Sequence, residues 1–196
     1  MLFRSRYSRF PMNLGVIAKK GGVGKSTVSL TLYEAFRQAG KVVRIKDWDA
    51  QGTSSKALRL IQAAKPETRL KPDIIIWDTP PNLEHAATAT AIRSADLVLV
   101  ITTPAPADLW EAQEAVEFAQ SRNEKAAIRL VFNKVRKSTI LGRLVDESAK
   151  QVAVPSLPVM LNYRECYQHA IGQGWKALDS AAREEVLQFA VALLSL

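Results

Sequence analysis

The residues best suited to chemistry form a glycine-rich run, Lys20–Thr27, which reads Lys-Gly-Gly-Val-Gly-Lys-Ser-Thr. The run directly follows an apolar stretch, Leu14–Ala18, and precedes Thr27–Ala39, whose pattern predicts a helix that ends before Gly40. Glycines let backbone N–H groups approach phosphate oxygens, and the N-terminus of a helix adds partial positive charge. A strand, a glycine-rich turn and a helix in this order therefore predict a nucleoside triphosphate site.

Each residue of this run has an expected role in holding the nucleotide. The ammonium group of Lys25 supplies a full positive charge to the β- and γ-phosphates, and the hydroxyl of Ser26 can bind Mg²⁺. The alternative is a glycine-rich turn without a ligand, which the flanking strand and helix disfavour. The predicted nucleotide contacts are Lys20, Gly21, Gly22, Val23, Gly24, Lys25, Ser26 and Thr27.

Two further lysines distinguish the run from an ordinary phosphate-binding loop. Lys19 stands at the position where such a loop carries its first glycine, and Lys20 follows it. Several lysines in one short loop repel each other unless a polyphosphate neutralises them. Lys20 also lies too far upstream of Lys25 to reach the same phosphate easily from the same direction.

Three aspartates follow predicted strands. Asp47 and Asp49 come after Val42–Lys46, and Asp78 comes after Ile74–Trp77. Acidic residues at the C-terminal ends of parallel strands point into the crevice that holds the phosphates. There they can hold Mg²⁺-bound water and orient an attacking water. The competing interpretation is that each aspartate caps a helix or forms a turn.

Apolar runs alternate with helical patterns along the chain, which predicts a single α/β domain: a mostly parallel, twisted sheet with helices on both faces. The predicted strands are Leu14–Ala18, Val42–Lys46, Ile74–Trp77, Leu97–Thr102, Ile128–Phe132 and a short Val152–Val154. The predicted helices are Thr27–Ala39, Ser54–Ala64, Glu84–Arg93, Pro106–Ser121, Thr139–Gln151 and Ala181–Leu194.

Several segments resemble those of one known family. Lys20–Ser26 resembles the deviant Walker A motif of the ParA/MinD family of ATPases. Asp47–Gly52 resembles the family's Asp-x-Asp-Pro-Gln-Gly segment, with Ala50 in place of proline, and Asp78–Pro81 resembles its Walker B segment. Ala95–Pro104 resembles its fourth strand and following loop, and the likeness extends over roughly residues 13–179.

The resemblance implies a small ParA-like ATPase of the partition or positioning type, without an N-terminal helix-turn-helix domain, that uses ATP and Mg²⁺. It implies an ATP-sandwich homodimer in which Lys20 contacts the partner's nucleotide. Lys20, Lys25 and Asp49 are then the catalytic residues, with Asp49 as the hydrolytic carboxylate. The metal is supported by Ser26, Asp47 and Asp78.

A possible base contact follows the fifth strand. Asn133 lies where related folds use an asparagine amide to read the edge of adenine, although a turn-forming asparagine is the competing interpretation. Pro155 and Pro158 bracket a loop that would close over the base.

The net charge of +8, from 27 basic and 19 acidic residues, favours polyanionic partners. The resemblance implies non-specific DNA binding, which depends on phosphate contacts rather than on base-reading motifs. Arg164 and Tyr167 resemble a family pair, three residues apart, that is expected to lie in a helix. A solvated basic face is the alternative. The expected DNA contacts are Arg136, Lys137, Arg143 and Arg164, and Lys134 belongs to the same basic cluster.

Residues 1–12 are a basic extension that carries Arg4, Arg6 and Arg9 and is expected to be disordered; the ATPase domain is then residues 13–196. The extension is a flexible tail, a nucleic-acid-binding arm, or a product of a misassigned start, since Met12 precedes the first strand. A single cysteine, Cys166, excludes an internal disulfide framework and argues against the iron–sulfur relatives of this fold.

The resemblance implies a cytoplasmic, nucleoid-associated ATPase, weak alone, that is stimulated by DNA and by a ParB-like or cargo-adaptor partner. Its cargo is a plasmid or chromosome partition complex, or else an organelle-like assembly or chemotaxis cluster. The partner is expected to bring a basic segment, which Glu111, Glu114 and Glu117 could accept. A MinD-like membrane cycle is disfavoured because Ala181–Leu196 has Arg183 as its single cation, beside Glu184 and Glu185, and so lacks a cationic face to complement its apolar one. A non-hydrolytic, ATP-switched DNA-binding protein is the third alternative.

Overall fold

A computed structural model describes residues 11–63 and 70–196, which form one α/β domain around a five-stranded sheet in the order β2-β3-β1-β4-β5. Every neighbouring pair of strands is parallel. The predicted fold class is confirmed. The strands are β1 (Met12–Ile17), β2 (Val43–Asp47), β3 (Ile74–Asp78), β4 (Leu97–Thr102) and β5 (Ala127–Phe132).

The connecting segments form helices on both faces of the sheet. They are α1 (Lys25–Gln38), α2 (Thr53–Ala63), α3 (Ala86–Ser94), α4 (Pro106–Arg122), α5 (Ile140–Arg143), α6 (Val145–Ala149), α7 (Cys166–Gln173), a 3₁₀ turn (Gly174–Ala177) and α8 (Ser180–Leu194).

Two apolar cores lie between these layers, one on each face of the sheet. Because side chains alternate along a strand, Leu97 and Leu99 of β4 enter one core while Val98 and Val100 enter the other. All six residues of β4 are buried, as expected for a central strand covered on both faces. Phe189 of α8 joins the first core, so the C-terminal helix docks on the domain as its apolar face predicts.

One predicted strand is absent. Val152–Val154 forms a turn in which Val152 packs into the second core and the Ala153 N–H donates to the Gln113 side chain, 2.9 Å away. The chain runs beside β5 only afterwards, where Leu130 N–H bonds Pro155 O and Leu157 N–H bonds Leu130 O. Because proline has no N–H, Pro155 cannot continue a ladder of this kind.

The predicted helix Thr139–Gln151 was also wrong, because the structure has two short helices that meet at Leu144. The first is pressed against the preceding turn: a Cβ built on Gly142 would lie 2.0 Å from the Arg136 carbonyl oxygen. Helix α7 begins only at Cys166, so Arg164 precedes the helix in which it was expected to lie. The remaining predicted elements are present, Leu97–Thr102 with the predicted bounds and the others with ends that differ by at most two residues.

Met12 belongs to β1, so the strand begins inside the stretch predicted as an extension. Arg4, Arg6 and Arg9 lie outside the described residues. Within residues 11–63 and 70–196, no helix is long and apolar enough to cross a membrane.

Candidate nucleotide-binding site

The strand order brings the predicted site residues to one edge of the sheet. In a parallel sheet all carboxyl ends lie on the same side, and β1 is flanked there by β3 and β4. The glycine-rich run leaves β1, Asp47 and Asp78 end β2 and β3, and Asn133 follows β5. Residues far apart in the sequence therefore surround one loop.

The loop itself has the backbone of a phosphate cradle. Gly22 and Gly24 adopt φ values of 82° and 97°, in the left-handed region that favours glycine. Gly24 is the N-cap of α1 and supplies no side-chain cap, so N–H groups of the first turn remain for an anion. Val23, 4% exposed, anchors the loop in the first core.

Lys25 is buried, with 6% of its surface exposed. Burial lowers the pKa of its ammonium group, and the nearby carboxylates of Asp78 and Asp49 partly oppose that shift. A buried cation between two carboxylates at a helix N-terminus is well placed to neutralise a phosphate group that enters the loop.

Asp78 is fully buried, and the Ser54 hydroxyl donates to its Oδ2 at 2.5 Å. Burial raises the pKa of this carboxyl group, while hydrogen bonds from Ser54 and Ser26 act in the opposite direction. Its Oδ1 is buried without a direct hydrogen-bond partner. An unpaired carboxylate oxygen beside Ser26 and Lys25 fits a Mg²⁺-bound water, because Mg²⁺ keeps several waters and takes oxygen ligands.

Asp47 and Asp49 organise the loop after β2. Asp47 Oδ1 accepts from the Asp49 N–H at 3.1 Å, and Asp47 Oδ2 accepts from the Ser55 N–H at 2.7 Å, which caps the start of α2. Asp49 Oδ1 accepts from the Gln51 N–H at 3.0 Å. The capping interpretation thus describes the contacts of Asp47, and its part in holding the metal stays a prediction.

Lys19 and Lys20 point away from the cradle and pair with α4. Lys20 Nζ lies 2.5 Å from Asp108 Oδ1, and Lys19 Nζ lies 2.6 Å from Glu114 and 3.1 Å from Glu111. The Thr103 hydroxyl donates to the other oxygen of Asp108 at 2.5 Å. The hydrogen bond from Lys20 to Asp108 raises the pKa of Lys20. Sequence reasoning did not single out Asp108.

Asn133 and Lys134 hydrogen-bond to the backbone of the phosphate loop. Asn133, 4% exposed, donates from Nδ2 to the Val23 carbonyl at 2.8 Å, and Lys134 Nζ donates to the Gly22 carbonyl at 2.7 Å. A Cβ on Gly24 would lie 2.2 Å from Asn133 Nδ2, so glycine is required there by contact as well as by φ. The adenine contact of Asn133 stays a prediction, while its amide already holds the loop.

Comparison with known proteins agrees with this geometry. Residues 14–174 match the model of the CobQ/CobB/MinD/ParA nucleotide binding domain. The chain belongs to this family. Within it, the predicted likeness to ParA/MinD ATPases is confirmed, and members of that group form ATP-dependent dimers and interact with partner proteins.

Proteins that resemble this chain over most of its length include relatives named for partition or positioning. The maintenance of carboxysome distribution protein A of Halothiobacillus neapolitanus is 26% identical over 190 residues, 87% of this chain and 88% of that protein. A putative plasmid partition protein of Borrelia burgdorferi, solved with AMPPNP, superposes with a TM-score of 0.78 at 16% identity, over 95% of this chain and 99% of that one. Apo McdA of Cyanthece gives 0.74 at 15% identity, over 94% and 100%.

A basic cavity lies beside the site of this ParA/MinD-like ATPase. It is an open depression of about 490 Å³, lined by Val135, Arg136, Lys137, Ser138, Asn162, Tyr163 and Arg164. Arg136 Cζ lies 4.1 Å from the centre of the Tyr163 ring, and Arg143 Nη1 donates to the Ser138 carbonyl at 3.2 Å. Three of the four residues predicted to contact DNA, Arg136, Lys137 and Arg164, therefore line one cavity, and Arg143 contacts Ser138 of its lining.

Glu185 of α8 fixes one wall of this cavity. Its carboxylate accepts hydrogen bonds from the Asn162 N–H at 2.8 Å and the Tyr167 hydroxyl at 2.6 Å, and lies 3.5 Å from Arg164 Nη2. Part of the charge of Arg164 is thereby neutralised. Arg136 and Lys137 are exposed and are the stronger cations of the cavity.

Proposed function

We propose that this chain is an ATPase that dimerises around ATP, binds DNA without sequence preference and positions a cargo along it. The observation that carries the proposal is the contrast between two lysines of one loop. Lys25 is 6% exposed and points into the cradle, whereas the side chain of Lys20 is 51% exposed and points out of it. This contrast supports a division of roles, in which Lys25 binds the protomer's own nucleotide and Lys20 serves a neighbour's.

ATP would lie along the loop, with its phosphates at the first turn of α1 and against the ammonium of Lys25. Ser26 and Asp78 would hold Mg²⁺ and its waters, with Asp47 nearby. The bound ion would neutralise charge on the β- and γ-phosphates. Gly22 and Gly24 bring the backbone close to the phosphates, and Asn133 and Lys134 keep that backbone in place.

Asp49 is the group we assign to the attacking water. Its carboxylate raises the pKa of Lys25, which supports a position near the phosphate end of the site. It is half-buried, which leaves it able to contact water. A carboxylate there can orient the water for in-line attack on the γ-phosphate.

The same dimer would present the DNA-binding surface. The cations of the cavity lie on segments that follow β5, and Arg136 and Lys137 come shortly after Lys134, which holds the phosphate loop. Binding to phosphates needs only clustered positive charge, and Arg136, Lys137 and Arg143 supply it. Hydrolysis would end the dimer and release the protein from DNA, which implies a cytoplasmic, nucleoid-associated cycle.

The relatives favour one class of cargo. A protein similar over most of this chain maintains carboxysome distribution, so we propose that the cargo is a large protein assembly rather than a plasmid. A cargo adaptor would stimulate hydrolysis through a basic segment. Two of the three acidic residues suggested for that contact, Glu111 and Glu114, already pair with Lys19, so the adaptor would have to compete with that lysine.

DNA binding with and without ATP tests the proposal. Replacing Arg136 and Lys137 by glutamate should abolish binding to DNA of any sequence while ATP binding is kept. Lys41→Glu with Lys125→Glu is the matched control, because it makes the same charge change at exposed sites elsewhere. Wild-type affinity should require ATP and fall about tenfold or more between roughly 50 and 200 mM salt. DNA binding that depends neither on ATP nor on the salt concentration would contradict the proposal. Binding of the dimer to anionic vesicles instead of DNA would contradict it too.

A further inference from the structure

Trp48 lies between Asp47 and Asp49, and its side chain packs on that of a second tryptophan. The ring of Trp48 packs edge to face on the ring of Trp77, with centroids 4.8 Å apart and planes at 85°. This is a favoured geometry for two aromatic rings. Trp48 remains 36% exposed, whereas Trp77 is 7% exposed.

Trp77 is a fixed platform for this contact. Its Nε1 donates to Asn13 Oδ1 at 3.1 Å, and Lys46 Nζ lies 4.0 Å from the centre of its ring. In the sheet it is paired with Gly15 on β1 and with Lys46 on β2, so its backbone is held from both sides.

Hydrogen bonds hold the backbone of the segment that follows, including the bond from the Asp49 N–H to Asp47 Oδ1. The Trp48 N–H donates to the Asp78 carbonyl at 2.9 Å, and the Gly52 N–H donates to the Asp49 carbonyl at 2.8 Å. Ala50 is exposed, and Gly52 has a φ of 63°. The Trp48 ring adds a side-chain packing contact that joins this loop to Trp77 of β3.

We propose that Trp48 is a positioning residue that holds Asp49 in place for hydrolysis by seating on Trp77. The inference rests on the role proposed for Asp49. Loss of the ring would leave the backbone bonds of Asp47 and Asp78 intact but would let the Asp49 carboxylate move relative to the γ-phosphate. A displacement of about 1 Å in a catalytic group costs up to roughly a hundredfold in rate.

The expected signature is a split between chemistry and binding. Trp48→Ala should lower kcat by about tenfold or more, with unchanged ATP affinity in calorimetry and unchanged ATP-dependent dimerisation. Trp48→Phe keeps an aromatic ring and should restore most of kcat. Trp110→Ala is the matched control, because Trp110 is 68% exposed on α4 and should leave kcat unchanged.

Asp49→Ala, assayed in parallel, separates this inference from the proposed function. If Asp49→Ala hydrolyses ATP like wild type, the catalytic assignment fails, and the positioning role of Trp48 fails with it. If Asp49→Ala is slow and Trp48→Ala is not, only the positioning role is overturned. A Trp48→Phe variant as slow as Trp48→Ala would overturn it too, because packing of an aromatic ring is the proposed cause. Circular dichroism confirms that each variant is folded.

Discussion

Lys20 and Asp108, separated by 88 residues in the sequence, form an ion pair with a distance of 2.5 Å between Nζ and Oδ1. The pair ties the phosphate loop to the first turn of α4, where the Thr103 side chain and the Thr102 hydroxyl also fix Asp108. In the proposed dimer, Lys20 must leave this carboxylate to reach the partner's phosphates. In the monomer the ion pair therefore keeps Lys20 on Asp108. The phosphates of the partner's nucleotide must compete with Asp108 for this lysine.

Replacing Asp108 by asparagine should favour the dimer, because Lys20 then has no charged partner in its own protomer. Asparagine can still accept the hydrogen bond from Thr103, so α4 should keep its position. Lys20 is half exposed, so solvent screens the pair in part, and the protein concentration needed for ATP-dependent dimerisation should fall only about two- to fivefold. Light scattering during size-exclusion chromatography measures this, with Glu117→Gln on the same helix as control. Weaker dimerisation of Asp108→Asn would show that the pair supports the dimer instead.

Removing the charge of Asp78 should stabilise the free protein while weakening its use of Mg²⁺. Burial raises the pKa of Asp78 above its unfolded value of 3.8, so at neutral pH folding places a charge in an unfavourable environment. That penalty disappears as pH falls and the carboxyl group is protonated. Asp78→Asn can still accept the bond from Ser54 and should raise the melting temperature by a few degrees near neutral pH. Thermal unfolding without nucleotide checks the sign.

The same variant should bind ATP less tightly in the presence of Mg²⁺ than wild type does. In EDTA the two proteins should differ little. A lower melting temperature, with Mg²⁺-dependent ATP affinity unchanged, would show that Asp78 is a structural hydrogen-bonding residue only.

Asn133 distinguishes two roles through nucleotide selectivity. If its amide mainly holds the Val23 carbonyl, Asn133→Ala leaves that buried oxygen unsatisfied and loosens the loop for any nucleotide. ATP and GTP affinities should then fall together, by roughly tenfold. Competition calorimetry with both nucleotides measures the ratio. A loss confined to ATP would restore adenine recognition as its main role.

The sequence predicted the local parts of this protein well. The glycine spacing of Lys20–Thr27 and the strand ends at Asp47 and Asp78 are local signals, and the loop and sheet edge follow from them. The contacts of Asn133 and Lys134 with the loop join residues 110 and 112 positions apart, so they depend on the order of the strands. Lys134 has a backbone φ of 57°, in the left-handed region, and residue type alone does not predict this conformation for a lysine.

The two wrong predictions of secondary structure also come from contacts that a local sequence pattern does not show. Val152–Val154 has the composition of a strand. It makes a turn instead, because Val152 packs into the second core and Pro155, which follows, has no N–H to continue a ladder. The helical pattern of Thr139–Gln151 does not show that Gly142 is pressed against Arg136. In both cases tertiary contacts override a local pattern. The ion pair between Lys20 and Asp108 could not be predicted from the sequence for the same reason.

The oligomeric state of two variants in ATP tests the central claim most directly. Lys20→Ala should bind ATP but remain a monomer, because the group that would reach the neighbour's phosphates is gone. Asp49→Ala should dimerise with ATP and hydrolyse it far more slowly, because its role begins after the dimer has formed. Light scattering with and without ATP, beside calorimetry for ATP affinity, separates the two. A Lys20→Ala protein that dimerises like wild type would contradict the account, since Lys20 would then be only a loop charge paired with Asp108.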